Sequence, residues 1–335
     1  MKKQILCSML ILIAMFATSA SEELMAAPYY EGKTIKLVVG SAPGGGYDRW
    51  ARLVARHMPK YIPGKPTIVI QNIPGATSIV AANYLYNIAK PNGLTFGAVQ
   101  RGLPFAQLLQ KKGVKFDLRK FSWIGSPIPE SNVLMIRTDL PYKTVEDLRN
   151  AKTPIILGDG GMASSSYHFA ILLKEFAGIN AKMIHYRSSA DIALAIERKE
   201  VDGKASTYGS FRSFIDRGIL RPVIRSRVSE PGIENIPVDE ELTADKTGKT
   251  LFAMRTGPDR AGRPYIAPPG LPPEIFKTLT KAFKDCVHDA DFLKEAEKLK
   301  LRVEYVSGED CLNEVNVVLN QPENIVKEFA KYIQF

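Results

Sequence analysis

Between Leu37 and Met58 the chain reads "LVVGSAPGGGYDRWARLVARHM": an apolar β-branched run, three consecutive glycines, then an amphipathic helical pattern. No other feature restricts the fold as strongly. A buried strand that passes through a glycine turn straight into a helix is the start of a βαβ unit. It leaves main-chain N–H groups exposed at the helix start, where an anion is favoured. The pattern recurs. "TIVIQ" leads through "NIPGATS" into a helix carrying Ile79, Val80, Ala82, Tyr84 and Leu85, and "PNG" turns the chain into "LTFGAV". Further on, "TPIIL" leads through "GDGGMASSS" into "YHFAILLKEFAG", and "AKMIHY" is followed by "RSSADIALAIERKE" and "VDGKAST". Strands alternating with helices over short links predict an α/β fold with mixed, mostly parallel sheets flanked by helices. Ligands of such sheets bind beyond the carboxyl ends of the strands, where these loops fall.

The units form two clusters, one ending near Gly125 and the other starting near Asn150. Between them "IGSPIPESNVLMIRTDLPYKTVEDL" is punctuated by proline and reads as a crossing. "RVSEPGIENIPVDEELTADKTGK" is a second irregular, acidic stretch. The segment "PPEIFKTLTKAFKDCVHDADFLKEAEKLKL" predicts a helix pair with a packing stripe of Ile275, Phe276, Leu279, Phe283 and Val287. At the other end, "MKKQ" followed by "ILCSMLILIAMFATSA" has the layout of a secretory signal, with cleavage expected between Ala20 and Ala27. "QILC" makes a poor lipoprotein box. The expected mature protein is soluble and exported.

Charge narrows the partners. The formal charge of +10 becomes +8 without Lys2 and Lys3, and the basic residues are scattered rather than run together. Nucleic acid is not an expected partner of an exported chain of this kind, whereas a small anion is compatible with it. Two cysteines follow the signal, Cys286 and Cys311, and in an oxidising compartment they form a possible disulfide worth roughly 2–4 kcal/mol. Two cysteines and four scattered histidines show no metal-ligand spacing.

The glycine loops fail the tests for catalysis and nucleotide binding. "APGGGYD" lacks the lysine and hydroxyl of a phosphate-binding P-loop. "GDGGMA" fits a degenerate dinucleotide pattern, but "HYRSS" stands where an acid should end the next strand. No G-x-S-x-G elbow is present. Ser165 or Ser166 with His168 could be drawn as a hydrolytic pair, although serines at a helix start are commonly caps. What remains is a set of hydrogen-bond donors: Gly45, Gly46 and Tyr47; Gly75, Ala76 and Thr77; and the hydroxyls of Ser165 and Ser166. Asp48 is either a first-turn acid or an orienting group. Gln100 and Arg101 follow a strand and sit at the binding edge. Arg187 could pair a carboxylate, and Asp202 either anchors a turn or faces the cleft. Trp50 and the methionines read as core.

In this order the motifs resemble the substrate-binding proteins of tripartite tricarboxylate transporters, the Bug or TctC family. The resemblance rests on "KTIKLVVGSAPGGGYDRWARLVARHM", "NIPGATSIVAANYLYNIAKPNGLTFG", "GSPIPESNVLMIRTDLPYKTVEDL", "GGMASSSYHFAILLKE", "HYRSSADIALAIERKEVDG" and "APPGLPPEIFKTLTKAF". It implies a two-lobed periplasmic binding fold with two crossovers: residues 28–130 plus 253–335 in one lobe, 131–252 in the other. It implies a small organic carboxylate held between the lobes by Gly45, Gly46, Tyr47, Gly75, Ala76 and Thr77 on one side. Ser165 and Ser166, with Arg187 and Asp202, come from the other side. A monomer without cofactor, metal or covalent step would then deliver its ligand to the membrane permease subunits. Alternatives are a ligand-sensing partner of a sensor kinase and an exported serine hydrolase. The chain departs from the family at Tyr47, usually a small hydroxyl residue, at "PGATS", and at "KASTYGSF", which replaces a more apolar and acidic run.

Overall fold

The computed structural model describes residues 28–162 and 164–333; the expected signal peptide lies outside them. The first cluster forms β1 (Thr34–Val39), α1 (Gly46–His57), β2 (Thr67–Asn72), α2 (Ile79–Asn87), β3 (Thr95–Ala98), α3 (Leu103–Leu108) and β4 (Ser122–Ser126). The second forms β5 (Asn132–Arg137), α4 (Val145–Arg149), β6 (Ile155–Asp159), α5 (Ser165–Ala177), β7 (Ala181–His185), α6 (Ser189–Glu197), β8 (Gly203–Thr207), α7 (Arg212–Asp216) and β9 (Leu220–Arg225). Then follow α8 (Lys246–Ala261), β10 (Tyr265–Ala267), α9 (Pro273–Val287), α10 (Ala290–Lys298), β11 (Val306–Ser307), α11 (Gly308–Leu319) and α12 (Glu323–Tyr332). The irregular acidic stretch therefore ends earlier than its composition suggests. Asp245 caps α8 by accepting from the Gly248 N–H at 2.7 Å.

Two sheets result, in the orders β11-β4-β10-β3-β1-β2 and β7-β6-β8-β5-β9. The βαβ units pair in parallel: β1 with β2 and β3, β6 with β7 and β8. Strands beside a crossing run antiparallel, because the chain enters them from the opposite sheet: β10 beside β3 and β4, β5 beside β8 and β9. Both faces of each sheet are covered. Along β1, Ile35, Leu37 and Val39 pack with α1, α9 and α10, while Val38 packs with α2 and α11 on the other face. This is the two-residue period of a strand buried on both sides.

The crossings are interlocked. Ser126 to Asn132 carries the chain from the first sheet to the second, and Asp259 to Pro264 brings it back. Glu130 N–H donates to the Asp259 carbonyl at 2.9 Å, and Arg263 N–H donates to Ser126 Oγ at 2.9 Å. Gly262 (φ +62°) passes so close that a Cβ would stand 1.7 Å from the Ile128 carbonyl oxygen, so no other residue fits there. The C-terminal helices straddle both sheets. Cys311 and Val315 pack with the first sheet, whereas Val318, Phe329 and Ile333 join the second sheet's core, Phe329 lying 5.1 Å from the ring of Phe105. The cysteines do not pair. Cys286 and Cys311 are free thiols buried in separate clusters on opposite faces of the first sheet, where burial pushes the Cys311 thiol up to about 12.

Candidate ligand-binding site

A cavity of about 360 Å³ is lined from both sheets and from the crossings. The first sheet's side supplies Gly46 and Tyr47 at the start of α1, Thr77, and Gln100 beyond β3. The second supplies Ser164, Ser165 and Ser166 at the start of α5, Ser189 at the start of α6, and Lys204 and Ser206 from β8. The triple-glycine turn and the serine-rich turn, more than a hundred residues apart, thus face the same space.

On the first side the donors are main-chain groups. Gly45 occupies the position before α1 in an extended conformation, and no side chain caps the helix. The N–H groups of its first turn are therefore presented at its positive end. Gly46 lies against a neighbour: a Cβ there would stand 2.4 Å from Arg263 Nη1, so the guanidinium, which packs 4.8 Å from the Tyr47 ring centroid, would have to shift. Tyr47 OH accepts from the Arg101 N–H at 3.0 Å, which fixes the ring as a wall. Asp48 turns away from the cavity. Its buried carboxylate accepts from Gly44 N–H, Arg52 Nε and Asn72 Nδ2 at 2.8–2.9 Å. Burial opposes ionisation, yet these hydrogen bonds hold its carboxyl below the usual range. Asp48 supports the loop.

The turn before α2 is unusual in its backbone. Ala76, Thr77 and Ser78 have φ of +43°, +53° and +71°, following Gly75 at +137°. Left-handed conformations cost non-glycine residues about 1–2 kcal/mol each. Buried Ser78 holds the turn, donating to the Gly40 carbonyl at 2.7 Å and accepting from the Gln100 N–H at 3.1 Å. The twist places Thr77 on the cavity wall and leaves Gly75 and Ala76 exposed outside the lining, as is Gly45.

On the second side the hydroxyls largely serve their own loop. Ser164 Oγ caps α5 by accepting from the Tyr167 N–H at 3.2 Å, and stands 2.9 Å from Ser166 Oγ. His168 is buried, with Nε2 2.8 Å from the Met162 carbonyl oxygen, so that nitrogen donates. Burial, reinforced by nearby Arg255, pushes its imidazole down to about 3. A neutral ring of such low basicity is a poor proton acceptor for a serine nucleophile. Two further expectations are displaced. Asp202 precedes β8, at the sheet edge away from the serine turn, and its carboxylate accepts from the Ile156 N–H at 2.8 Å. Arg187 is exposed and does not line the cavity.

Sequence reading sets Arg101 at the binding edge but overlooks the buried ionic cluster that it joins on the cavity wall. Arg101 and Arg263 both pair with Glu130; Arg101 Nε also lies 2.9 Å from Asp259, and Arg255 lies 2.8 Å from the same carboxylate. Asn132 Nδ2 donates to Asp259 at 2.7 Å. Burial raises the Glu130 carboxyl, but Arg263 and Arg101 outweigh it and keep the group ionised. These residues come from the loop before α3, both crossings and α8, so the cluster ties the crossings to the cavity. Among the described residues no grouping of His, Cys, Asp and Glu could hold a metal, and no helix is long and apolar enough to cross a membrane.

The family model described as "Tripartite tricarboxylate transporter family receptor" matches residues 50–330. A UPF0065 protein of Bordetella pertussis is 25% identical over 96% of this chain and 98% of its own length. Among solved structures, the periplasmic binding protein BugD aligns with a TM-score of 0.68 at 21% identity, covering 90% of this chain and 98% of BugD. Rpa4515 of R. palustris, solved with adipate, aligns with a TM-score of 0.67 at 18% identity, covering 90% and 97%. At these identities the structures establish a shared two-lobed fold.

Proposed function

Because the chain belongs to the tripartite tricarboxylate transporter receptor family, we propose that it is an exported solute receptor that captures a small organic carboxylate between two lobes and delivers it to a membrane permease. One observation carries the reading: the open start of α1 and the serine turn of α5, built on different sheets, line one cavity. Solution of Rpa4515 with adipate supports a carboxylate as the ligand class. In this reading residues 28–130 plus 253–335 form one lobe and 131–252 the other, with α12 bracing the second. Gly46, Tyr47, Thr77, Gln100, Ser165 and Ser166 contact the ligand. The crossings at Ser126–Asn132 and Asp259–Pro264 act as the hinge, and a ligand touching both lobes favours closure by its differential affinity for the closed state.

Thermal unfolding with mono-, di- and tricarboxylates tests the reading. A ligand at a hundredfold its Kd adds about 2.7 kcal/mol of stability, which for a chain of this size raises Tm by roughly 4 °C. No carboxylate response, alongside stabilisation by a neutral sugar or a metal ion, would overturn it.

A further inference from the structure

Lys204 stands apart from the other cations at the cavity. It is 1% exposed, on the central strand of the second sheet, and with Ser206 two residues on it lines the cavity. Arg101, Arg255 and Arg263 are each matched to Glu130 or Asp259. No carboxylate among the described residues forms an ion pair with Lys204; its ammonium lies 4.2 Å from the Phe211 ring centroid. A buried ammonium without an anionic partner is costly. The starts of α5 and α6, at Ser165 and Ser189, line the same cavity. Burial pushes the Lys204 ammonium down to about 8, with the charge of Asp159 partly opposing.

We propose that Lys204 selects a second anionic group on the ligand, so that this receptor takes a small dianion, one carboxylate at the open start of α1 and the other at Lys204. The inference rests on the carboxylate-receptor reading above and narrows it. Phe105, Ile192 and Pro258 also line the cavity and give an apolar linker between the two charged ends something to pack against.

The test titrates succinate, glutarate and adipate, each against its monomethyl ester, into the purified protein by calorimetry, and repeats the series with Lys204→Met. A charge-assisted contact predicts that the best diacid binds wild type about ten- to a hundredfold more tightly than its ester. In Lys204→Met that margin collapses while ester affinity stays within about threefold. Equal binding of diacid and ester by wild type overturns the inference, whether or not the variant folds, and so does a margin retained in Lys204→Met. Binding of esters but not preferentially of diacids leaves the carboxylate receptor standing; no binding by any of the six compounds removes both.

Discussion

The two rims of the cavity solve the same problem with different chemistry. On the first, the donors are main-chain amides at an uncapped helix, and the buried charges behind them are paired through Glu130 and Asp259. On the second, α5 and α6 are capped by Ser164 and Ser188, and among the described residues neither Lys204 on the cavity wall nor buried Asp239, outside the lining, forms an ion pair. Loops that look alike in sequence, glycine and serine before a helix, therefore do different work. One leaves donors open to a guest; the other consumes them and relies on a side-chain charge. Paired charges should hold the architecture, and unpaired ones should tune binding and pH response.

Breaking the pairing gives the largest effect. Glu130→Gln keeps the shape but leaves Arg101 and Arg263 facing each other without their shared anion, a change that costs about 3–5 kcal/mol when a buried pair loses one member. Denaturant unfolding should show the loss. Lys204→Met removes an unmatched charge and should leave stability unchanged or raised. If both variants shift stability by similar small amounts, the contrast between the rims is wrong.

The second contrast lies in pH. Burial pushes the Asp239 carboxyl up to about 8, against Arg255. Its folded value lies above its unfolded one, so the folded state holds the extra proton. The stability from this group is complete below about pH 4 and declines as pH rises towards 8, at up to about 1.4 kcal/mol per unit. Lys204 has the opposite sign. Its folded value near 8 lies below that of the unfolded chain, so stability recovers above pH 8. Chemical denaturation from pH 5 to 10 should pass through a minimum near pH 8, Asp239→Asn flattening the acid limb and Lys204→Met the alkaline one. A profile unaltered by either variant would break the account.

What was legible in the sequence follows from range. Strand and helix periods are local, and so are the loops between them, which is why Gly46, Tyr47, Thr77, Gln100, Ser165 and Ser166 could be placed at the cavity. Asp202 anchors its own turn rather than facing the cleft, and strand direction could have decided between the two: a residue preceding a parallel strand lies at the edge opposite the loops that follow its neighbours. Asp48 reads equally as a capping acid or a contact, and only the fold shows it folded under its own turn. Arg101 is legible at the binding edge, but its ionic cluster is not, because Glu130, Asp259 and Arg263 are brought to it by the crossings, which no periodicity reveals. Arg255 and Asp259 do stand four apart, but that spacing ordinarily marks an exposed pair. Lys204 left a fainter trace, a charge inside a strand that the topology makes central.

The smallest effect tests the contrast most directly. Gly45 stands before α1 with φ −73° and ψ 172°, a conformation serine adopts freely, and a Cβ there would meet only the Ala42 carbonyl oxygen at an ordinary 3.6 Å. Gly45→Ser gives α1 the kind of cap that Ser164 gives α5, its hydroxyl accepting from the N–H of Tyr47 or Asp48. Serine over glycine at this position is worth only a few tenths of a kcal/mol, so Tm should rise by about half a degree. The donor consumed is one the ligand's carboxylate would use, so affinity should fall severalfold, a loss of about 1 kcal/mol for one hydrogen bond. A variant that is slightly more stable yet binds less well is hard to explain by general damage. Should affinity be untouched while stability rises, the amides of α1 are not what holds the guest, and the distinction between an open rim and a self-capped one loses its functional meaning.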